Sequence, residues 1–365
     1  MKNISTIGTW LQIMLCQYVF LQSIFMEKAE EDSCCRIGKN IRVAERYLRE
    51  GKLVAIPTET VYGLAANAFD VQAVTKIFAA KGRPTYNPLI VHAGSLEQLP
   101  FIVSDLPKDA LLLAEFFWPG PLTLVLPKNK NIPDIVTAGL PGVAVRIPNH
   151  PLTTSLLINS GIPLAAPSAN PFGYISPTTA EHVYNQLFNK IPYILDGGHC
   201  PVGVESTIVS FMEDKPVILR QGGISMEALE CVIGKISVAA PTETTSKPSA
   251  PGMLPAHYAP KTPLVFGNPI EWLMLNEYPI EKIGILSFER SYELDAPGAT
   301  LKCLSPSGNL YQAAHNLYSA LHDLDSAKIS VILAEKFPNE GIGKAINDRL
   351  LRAAVPFLSY QRAWL

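Results

Sequence analysis

The chain has 365 residues, which is long for one hydrophobic core and sufficient for two domains. Its 30 lysine and arginine residues nearly balance its 32 aspartate and glutamate residues, so a net charge of -2 excludes an overall basic coat for nucleic acid or anionic membrane. Hydrophobic residues make up 48% and charged residues 17%, which excludes a disordered chain and indicates a globular protein.

The N-terminal region contains an apolar segment, Gly8–Phe25, with the composition of a signal or anchor sequence. Three glutamines interrupt it and no small-residue cleavage site follows, so neither a signal peptide nor a membrane span is predicted. We interpret residues 1–36 as a leader or tail, with Met26 as an alternative start of the native chain.

Cysteine usage gives a prediction about compartment and metal content. The six cysteines form no C-x-x-C pair and have no histidine partners at zinc-finger spacing. We therefore expect reduced thiols and no metal site. Reduced thiols are typical of a cytoplasmic protein.

Helix and strand signals alternate from Ile41 onward. One helix is predicted from Ile41 to a terminal glycine at Gly51, and a second begins after the N-cap Asp70 and ends at Gly82. Short strands are predicted before Pro57 and in seven later runs: PLIVHA, PLTLVLP, GVAVRIP, IPLAAPSA, YILDGG, STIVSF and PVILRQG. This mixture predicts an α/β fold with an open twisted mixed sheet and a ligand crevice.

A stretch rich in proline, serine and threonine at residues 239–260 divides the chain. It has no hydrophobic period, so we predict a linker or flexible loop there. Residues 37–238 then form the larger domain. Residues 261–365 contain the strand-like runs KIGILSFE and ISVILAE and two helical segments, which predict a smaller C-terminal α/β domain of Rossmann-like type.

Two cations stand close together in the run KGRPTYNPLIVH. Lys81 falls on the last turn of the predicted helix, where a cation complements the helix dipole. Arg83 lies beyond the helix end, on a turn fixed by Pro84 and Pro88. The pair indicates an anion site, with the arginine as a bidentate fork and the lysine as a point charge.

Other polar residues stand at predicted strand ends, where open α/β sheets bind ligands. Thr58, Glu59 and Thr60 form either a polar turn or part of a crevice. Arg146 and Arg220 interrupt apolar strands, so each is either a solvated edge position or an anion ligand. The same clustering applies to four further residues: His92, Ser168, Asn170 and Ser206.

Several nucleotide-binding and catalytic motifs are absent from the sequence. It contains no G-x-x-x-x-G-K-[ST] loop and no G-x-G-x-x-G before a helix. It also lacks the G-x-S-x-G elbow and H-E-x-x-H. A nucleotide site in this chain has to be built from side chains.

Seven ordered motifs carry a family resemblance: PTETVYGL, KGRPTYNPLIVH, WPGPLTLVL, VAVRIPNHP, APSANPFGYISPT, VESTIV and ILRQGG. Together they resemble the threonylcarbamoyl-AMP synthase family. The linker SAPGMLPAHYAP followed by an α/β tail is similar to the two-domain form of that family. The resemblance covers essentially the whole chain from Ile37 to Leu365.

The resemblance implies a nucleotidyltransferase reaction, in which L-threonine, bicarbonate or CO2, and ATP with Mg2+ give L-threonylcarbamoyl-adenylate and pyrophosphate. A separate transferase complex then passes the threonylcarbamoyl group to adenosine at position 37 of tRNAs. The resemblance implies no stable membrane partner and leaves direct tRNA binding open.

The family signature Lys-x-Arg and Ser-x-Asn falls on Lys81, Arg83, Ser168 and Asn170 of this sequence. The resemblance implies Lys81 and Arg83 as catalytic residues, with Lys81 neutralising carbamate or phosphate charge, and no protein ligand for a metal. It implies that L-threonine binds to Thr60, His92, Arg146 and Ser206, with Arg146 facing the carboxylate. The implied ATP ligands are Arg83, Asn87, Ser168, Asn170, Ser176, Arg220 and, from a linker that acts as a lid, Tyr258. Family members often have a small hydroxyl residue where this chain has Gly142, so no side-chain contact to ATP is expected there.

Two other classes of protein remain open at this point. In an RNA-binding module associated with translation, the same cations would bind RNA phosphates without nucleotide turnover. A different carbamoyl-transfer enzyme, acting from carbamoyl phosphate, is disfavoured because the chain lacks the zinc-finger-like cysteines and the acylphosphatase-like segment of such proteins.

Overall fold

The computed structural model describes residues 35–240, 248 and 250–362, with side chains described as far as residue 355. The apolar segment Gly8–Phe25 and the alternative start at Met26 lie outside the described residues. In the described part of the chain, no helix is long and apolar enough to cross a membrane.

The first domain is built on an eleven-stranded sheet with the order β1-β8-β2-β3-β7-β4-β6-β5-β9-β10-β11. Parallel pairs such as β4 with β6 are mixed with antiparallel pairs such as β5 with β6, and β1 and β11 are the two edge strands among the described residues. The predicted open mixed sheet is therefore confirmed. Its strands are β1 (Arg36–Gly38), β2 (Val54–Ile56), β3 (Gly63–Asn67), β4 (Ile90–His92), β5 (Leu122–Pro127), β6 (Gly142–Arg146), β7 (Leu164–Ala165), β8 (Tyr193–Leu195), β9 (Thr207–Ser210), β10 (Val217–Arg220) and β11 (Ser237–Val238).

Side chains alternate between the two faces of this sheet and join different hydrophobic clusters. Val91, Val143 and Val145 face the main core, which α2, α3, α6 and α7 cover. Val54 and Ile56 face the opposite side, where α1 and α5 pack. The helices are α1 (Ile41–Arg49), α2 (Val71–Lys81), α3 (Lys108–Phe117), α4 (Asp134–Thr137), α5 (Pro151–Ser160), α6 (Ala180–Leu187) and α7 (Met226–Ile233), with a 3-10 helix at Leu96–Phe101.

Local sequence determines the ends of helix α2. The Asp70 carboxylate accepts hydrogen bonds from the backbone amides of Gln72 and Ala73, as an N-cap residue does. Gly82 follows Lys81 with a left-handed φ of 63°, which ends the helix and turns the chain toward Arg83. The buried Lys81 and Arg83 thus lie on either side of a fixed turn.

The second domain is a four-stranded parallel sheet of order β12-β15-β13-β14, which confirms the predicted smaller α/β domain. Helices cover both of its faces, because one hydrophobic cluster contains residues of α9 and α10 and another contacts α8. Its elements are β12 (Leu264–Gly267), α8 (Pro269–Leu275), β13 (Ile283–Ser287), β14 (Thr300–Cys303), α9 (Leu310–Ser326), β15 (Val331–Glu335) and α10 (Gly343–Arg362), with a 3-10 helix at Ile280–Lys282.

The two domains share a hydrophobic cluster. Val61, Ile175 and Val204 of the first domain pack in the same cluster as Leu317 and Leu321 of α9. Polar contacts continue this interface, for example the Lys344 side chain bound to Glu227 at 2.5 Å. The C-terminal domain therefore lies directly against the first domain.

The segment predicted to be a linker is buried where the structure describes it. Ala250 and Met253 pack against Ile90, Ala144 and Ile208 of the large sheet. No helix or strand forms between Ala250 and Pro260. The segment is therefore irregular, as predicted, but it covers the sheet instead of lying free in solvent.

Some strands were not among the predicted ones: β1, β3, β11, β12 and β14. β3 has the sequence GLAAN, whose glycine and alanines have low intrinsic strand preference, and it forms because it pairs antiparallel with β2. The predicted domain boundaries at residues 36, 238 and 260 stay predictions. At the first of them, Arg36 already belongs to β1, which pairs with β8.

Candidate active site

A small, partly open cavity lies over the face of the large sheet on which α1 and α5 also pack. Ile90 and His92 of β4 point into it, and so does Arg146 of β6. Pro251 and Gly252 of the buried segment close it from the opposite side. Its free volume is about 50 Å³. The sequence predicted a crevice at strand ends, and the strand-end side chains do converge, but the space between them is over a sheet face.

Arg146 lies at the centre of the cavity wall. It pairs in register with His92 on the neighbouring strand β4, so the two side chains stand next to each other. Its guanidinium donates to Glu59 Oε2 at 2.6 Å and to Thr60 Oγ1 at 2.9 Å. Arg146 is only 3% exposed and belongs to an inner strand, so it is not a solvated edge residue.

The remaining implied threonine ligands are fixed by neighbouring hydroxyl groups. Thr60 Oγ1 is 2.8 Å from Thr58 Oγ1, and Ser206 Oγ is 2.7 Å from Thr123 Oγ1. All the implied ligands of threonine line the cavity: Thr60, His92, Arg146 and Ser206.

Two further arginines border the cavity at the side of the buried segment. Arg83 donates to the Asn87 side chain at 2.6 Å and to the Pro88 carbonyl at 2.7 Å. Arg220 donates to the Ser206 carbonyl at 2.9 Å and to the Pro251 carbonyl at 3.0 Å. Each is 6% exposed and lines the cavity. Both arginines are thus held by neutral partners in the immediate wall.

Part of the implied ATP set lines the cavity and part lies behind its wall. Besides the two arginines, Ser168 and Tyr258 line it. Behind the wall, the Asn170 side chain donates to the Pro171 and Tyr174 carbonyls. The remaining two residues of the set each bind a wall residue, Asn87 to Arg83 and Ser176 to Glu205.

Lys81 does not lie where its implied catalytic role would place it. Its Nζ donates to the carbonyls of Ser168, at 2.5 Å, and Asn170, and it does not line the cavity. Burial, together with the nearby Arg83, lowers the pKa of Lys81 well below its usual value. The lysine therefore fixes the backbone of the Ser-x-Asn loop.

Several wall residues hold buried polar atoms that have no hydrogen-bond partner. They are Nε of Arg146, Nδ1 of His92, Nδ1 of His257 and Oη of Tyr258. Buried polar atoms are normally paired, so such a group around one cavity indicates a polar ligand. The guanidinium groups of the wall are donors only and favour an anionic ligand, whereas the histidine nitrogens and the tyrosine hydroxyl can either donate or accept.

Sequence reasoning missed some residues of the site. Glu205, Gly252 and His257 line the cavity, and Glu59, which the sequence placed in a turn or a crevice without a role, neutralises Arg146. Glu205 and His257 directly precede predicted residues, which is the one signal that the sequence offered. No side-chain contact to ATP is expected at Gly142. The packing leaves little room for a side chain at this position, because a Cβ there would lie 2.8 Å from the sulfur of Met212.

Burial controls ionisation in the cavity. It lowers the pKa of His92 to about 3, with Arg146 adding to the effect, and it also lowers the pKa of His257 to about 3. Burial and the nearby Arg220 lower the pKa of Arg83 to about 9. Both histidines are therefore neutral at physiological pH, so the positive charge of the wall comes from arginine.

We expect the free energy of unfolding to fall with acidification below about pH 6.5. His92 and His257 stay neutral in the folded state, whereas in the unfolded chain both become protonated below about pH 6.5. Each histidine therefore lowers the free energy of unfolding by about 1.4 kcal/mol per pH unit, or about 2 kcal/mol by pH 5. Urea unfolding at several pH values measures this slope. The variant His92→Asn/His257→Asn should have a shallower slope, and an unchanged slope would contradict the assignment.

Carboxylates near the cavity do not form a metal site. Glu205 binds Arg349, Ser176 and Tyr318, and Glu59 binds Arg146. Among the residues that the structure describes, no group of three or more histidine, cysteine, aspartate or glutamate side chains could hold a metal ion.

Fold and site together define a two-domain α/β protein with a small, arginine-lined cavity that suits an anionic ligand. A family model described as "Telomere recombination" (Sua5, YciO, YrdC) matches residues 46–222. A second model, described as "Threonylcarbamoyl-AMP synthase, C-terminal domain", matches residues 224–355.

Curated and solved relatives agree with these models. Threonylcarbamoyl-AMP synthase of Pyrococcus abyssi is 43% identical over 86% of this chain and 94% of its own length. The protein of that name from Bacillus subtilis is 46% identical over 86% of this chain and 92% of its own length. The crystal structure of P. abyssi Sua5 complexed with L-threonine superposes with a TM-score of 0.80 at 41% identity, covering 88% and 97% of the two chains. The chain belongs to the threonylcarbamoyl-AMP synthase family, as its sequence motifs predicted.

Proposed function

We propose that this chain synthesises L-threonylcarbamoyl-adenylate and pyrophosphate from L-threonine, bicarbonate or CO2, and ATP. The observation that carries the proposal is the cavity, in which buried arginines and unpartnered polar atoms surround one small space. The named relatives support the same reaction, and one of them has been crystallised with L-threonine.

Threonine is assigned to the wall around Arg146. The arginine retains an unpartnered Nε, and the adjacent His92 retains an unpartnered Nδ1. The guanidinium would bind the threonine carboxylate, and Thr60 and Ser206 would orient the rest of the amino acid. Neutral His92 leaves that side of the pocket without a second positive charge, which favours an uncharged, nucleophilic amine.

ATP is assigned to the wall formed by Arg83, Ser168, Arg220 and Tyr258. The two arginines would bind phosphate oxygens. Asn87, Asn170, Ser176 and Lys81 would support that wall from behind, since each contacts a wall residue or its loop. Arg83 and Lys81 are the predicted catalytic pair, and in this arrangement Arg83 acts on the substrate while Lys81 fixes the loop.

The chemistry requires positioning and charge stabilisation. The threonine amine attacks CO2 and loses a proton to give a carbamate. A carbamate oxygen then attacks the α-phosphorus of ATP, a new P–O bond forms, and pyrophosphate leaves with the electrons of the broken P–O bond. Both steps gain from fixed geometry and from preorganised donors in a dry cavity.

The buried segment is assigned the role of a lid. A free volume of about 50 Å³ is far below the several hundred Å³ of typical small-molecule sites, so ATP needs this segment to move. Gly252 lies with φ 79° where a Cβ would stand 2.4 Å from Tyr258 Oη, which shows how closely the segment packs when closed. Closure would keep water from the labile carbamate.

Magnesium is assigned to the ATP substrate and not to a protein site. The carboxylates of the described residues do not provide a ligand set, so the metal would be held by phosphate oxygens and water. We place the protein in the cytoplasm, where thiols such as those of Cys200, Cys231 and Cys303 stay reduced and where a tRNA-modifying transferase complex would take up the product.

The RNA-binding hypothesis is disfavoured by burial. With the buried segment closed, Arg83, Arg146 and Arg220 are each at most 6% exposed and do not form a surface on which a folded RNA could place its phosphates.

Pyrophosphate release from ATP and Mg2+ in bicarbonate buffer tests the proposal. We expect release to depend on L-threonine and bicarbonate, with serine as the control amino acid. Arg83→Ala should lower the rate by about 100-fold or more, because it removes a preorganised donor to the phosphates. Arg42→Ala, which changes an exposed arginine of α1, is the matched control and should keep full activity. Threonine-independent release, or none from folded protein, would exclude the proposed reaction.

A further inference from the structure

A carboxylate in the wall of the arginine-lined cavity is bound by side chains of the second domain. Glu205 lines the cavity, yet its oxygens face three donors. Arg349 Nε of α10 donates to Oε2 at 2.8 Å, and Tyr318 Oη of α9 lies 3.0 Å from both oxygens. Ser176 Oγ completes the set at 2.7 Å from Oε1. Arg349 is 1% exposed, so this ion pair is fully enclosed.

Arg349 also contacts the lid and the backbone beside Arg220. Its guanidinium carbon lies 5.1 Å from the ring centre of Tyr258, within cation–π range. Its NH2 group donates to the Gln221 carbonyl at 2.8 Å. One turn later on α10, Arg352 donates to the lid carbonyls of Met253 at 3.0 Å and Leu254 at 2.6 Å. One helix of the C-terminal domain thus reaches both the carboxylate and the lid.

The sign of the charge at Glu205 matters for an anionic substrate. A carboxylate without a partner in a low-dielectric wall would repel phosphate groups, and its neutralisation removes that repulsion. Burial raises the pKa of Glu205, but Arg349 and Arg220 outweigh it and hold the pKa at about 2, so the carboxylate is charged throughout the physiological range.

We propose that Arg349 is a positioning residue that the C-terminal domain contributes to the active site. It neutralises Glu205, so that the cavity accepts the triphosphate, and it supports the ring of Tyr258 in the closed lid. The inference rests on the proposed function, because it assigns the triphosphate of ATP to this wall. A purely structural bridge between the domains is the competing explanation.

Substitutions of the two partners of this ion pair separate the explanations. A charge effect changes the affinity for an ATP analogue in opposite directions in the two variants, whereas a structural bridge predicts a loss of affinity in both. We expect Arg349→Gln to weaken binding of a non-hydrolysable ATP analogue by about tenfold or more, since it exposes the phosphates to the Glu205 charge. We expect Glu205→Gln to leave that affinity unchanged or tighter. The double variant Glu205→Gln/Arg349→Gln should recover the wild-type value within about threefold. Threonine binding should change less than ATP binding in each variant.

The control is Lys344→Ala on the same helix, which removes the interdomain ion pair with Glu227 and leaves the ion pair of Arg349 with Glu205 in place. It should bind the analogue like the wild type. Arg349→Lys keeps the charge and provides the test if Arg349→Gln does not fold, with analogue affinity expected within about threefold of wild type.

Calorimetric binding of the ATP analogue, without turnover, is the readout. Equal weakening in Arg349→Gln and Glu205→Gln, or no recovery in the double variant, would overturn the inference and leave a structural bridge. Wild-type protein that binds the analogue but releases no pyrophosphate would overturn the proposed function alone. Wild-type protein that binds no analogue would overturn both.

Discussion

Replacement of Arg146 by alanine is expected to abolish threonine-dependent synthesis and to destabilise the protein. Arg146 forms a buried ion pair with Glu59, whose side chain is 5% exposed. Removing one partner of a buried pair leaves an uncompensated charge and costs about 3–5 kcal/mol of folding free energy. Loss of the guanidinium also removes the proposed partner of the threonine carboxylate, an interaction of about 2–5 kcal/mol, or about 30- to 5,000-fold in affinity.

A second substitution separates these two losses. Glu59→Gln/Arg146→Ala lacks the buried charge, so urea unfolding should show most of the lost stability restored. Threonine binding, measured by calorimetry or from KM, should remain as weak as in Arg146→Ala. If the double variant recovered threonine affinity as well, the carboxylate would have to bind elsewhere in the cavity.

Local sequence signals were sufficient to predict helices α1, α2, α9 and α10 and the β-branched strands, but helices α3 to α8 were not predicted. Helix α2 is bounded by an N-cap aspartate and a left-handed glycine, and both work through interactions within a few residues. The strands ending in His92 and Arg146 are continuous apolar runs, as inner strands of a covered sheet are. β3 and β14 lacked such a signal, because their pairing partners determine them.

The site itself depended on contacts between distant parts of the chain. Arg146 and Glu59 are 87 residues apart, and only the strand order brings the turn after β2 beside the end of β6. From sequence, Glu59 belonged either to a polar turn or to a crevice, and no partner was assigned to it. Arg349 is 144 residues from Glu205, in a helix that sequence reasoning treated as part of a separate domain. The resemblance named residues of the wall, but not the counter-charges that neutralise them.

Composition predicted the irregular backbone of the segment before Pro260 but not its burial. Proline, glycine and small residues predicted an irregular segment, and the described residues Ala250–Pro260 form no helix or strand. The same residues let it pack closely on the sheet, since Ala250 has no exposed surface and Tyr258 is 1% exposed. An irregular segment is therefore part of the cavity wall, and its two ends connect the domains.

Replacement of Lys81 by methionine is expected to lower stability and ATP use together. The substitution keeps the length of the side chain but removes the donor to the carbonyls of Ser168 and Asn170. Each buried carbonyl left without a donor costs about 1–3 kcal/mol, so the expected loss is about 2–6 kcal/mol in the free energy of unfolding. Since Ser168 lines the cavity, a loop shift of about 1 Å should lower kcat/KM for ATP by about 100-fold.

The matched control lies on the same helix. Lys76 donates to the Gly51 carbonyl at 2.6 Å in an exposed position, so Lys76→Met should change stability by less than about 0.5 kcal/mol and leave synthesis intact. Lys81 would act directly on substrate charge if Lys81→Met lost activity while its unfolding curve matched the wild type. A joint loss of stability and ATP use instead assigns the lysine to the loop, which leaves Arg83 as the member of the Lys-x-Arg pair that contacts phosphate.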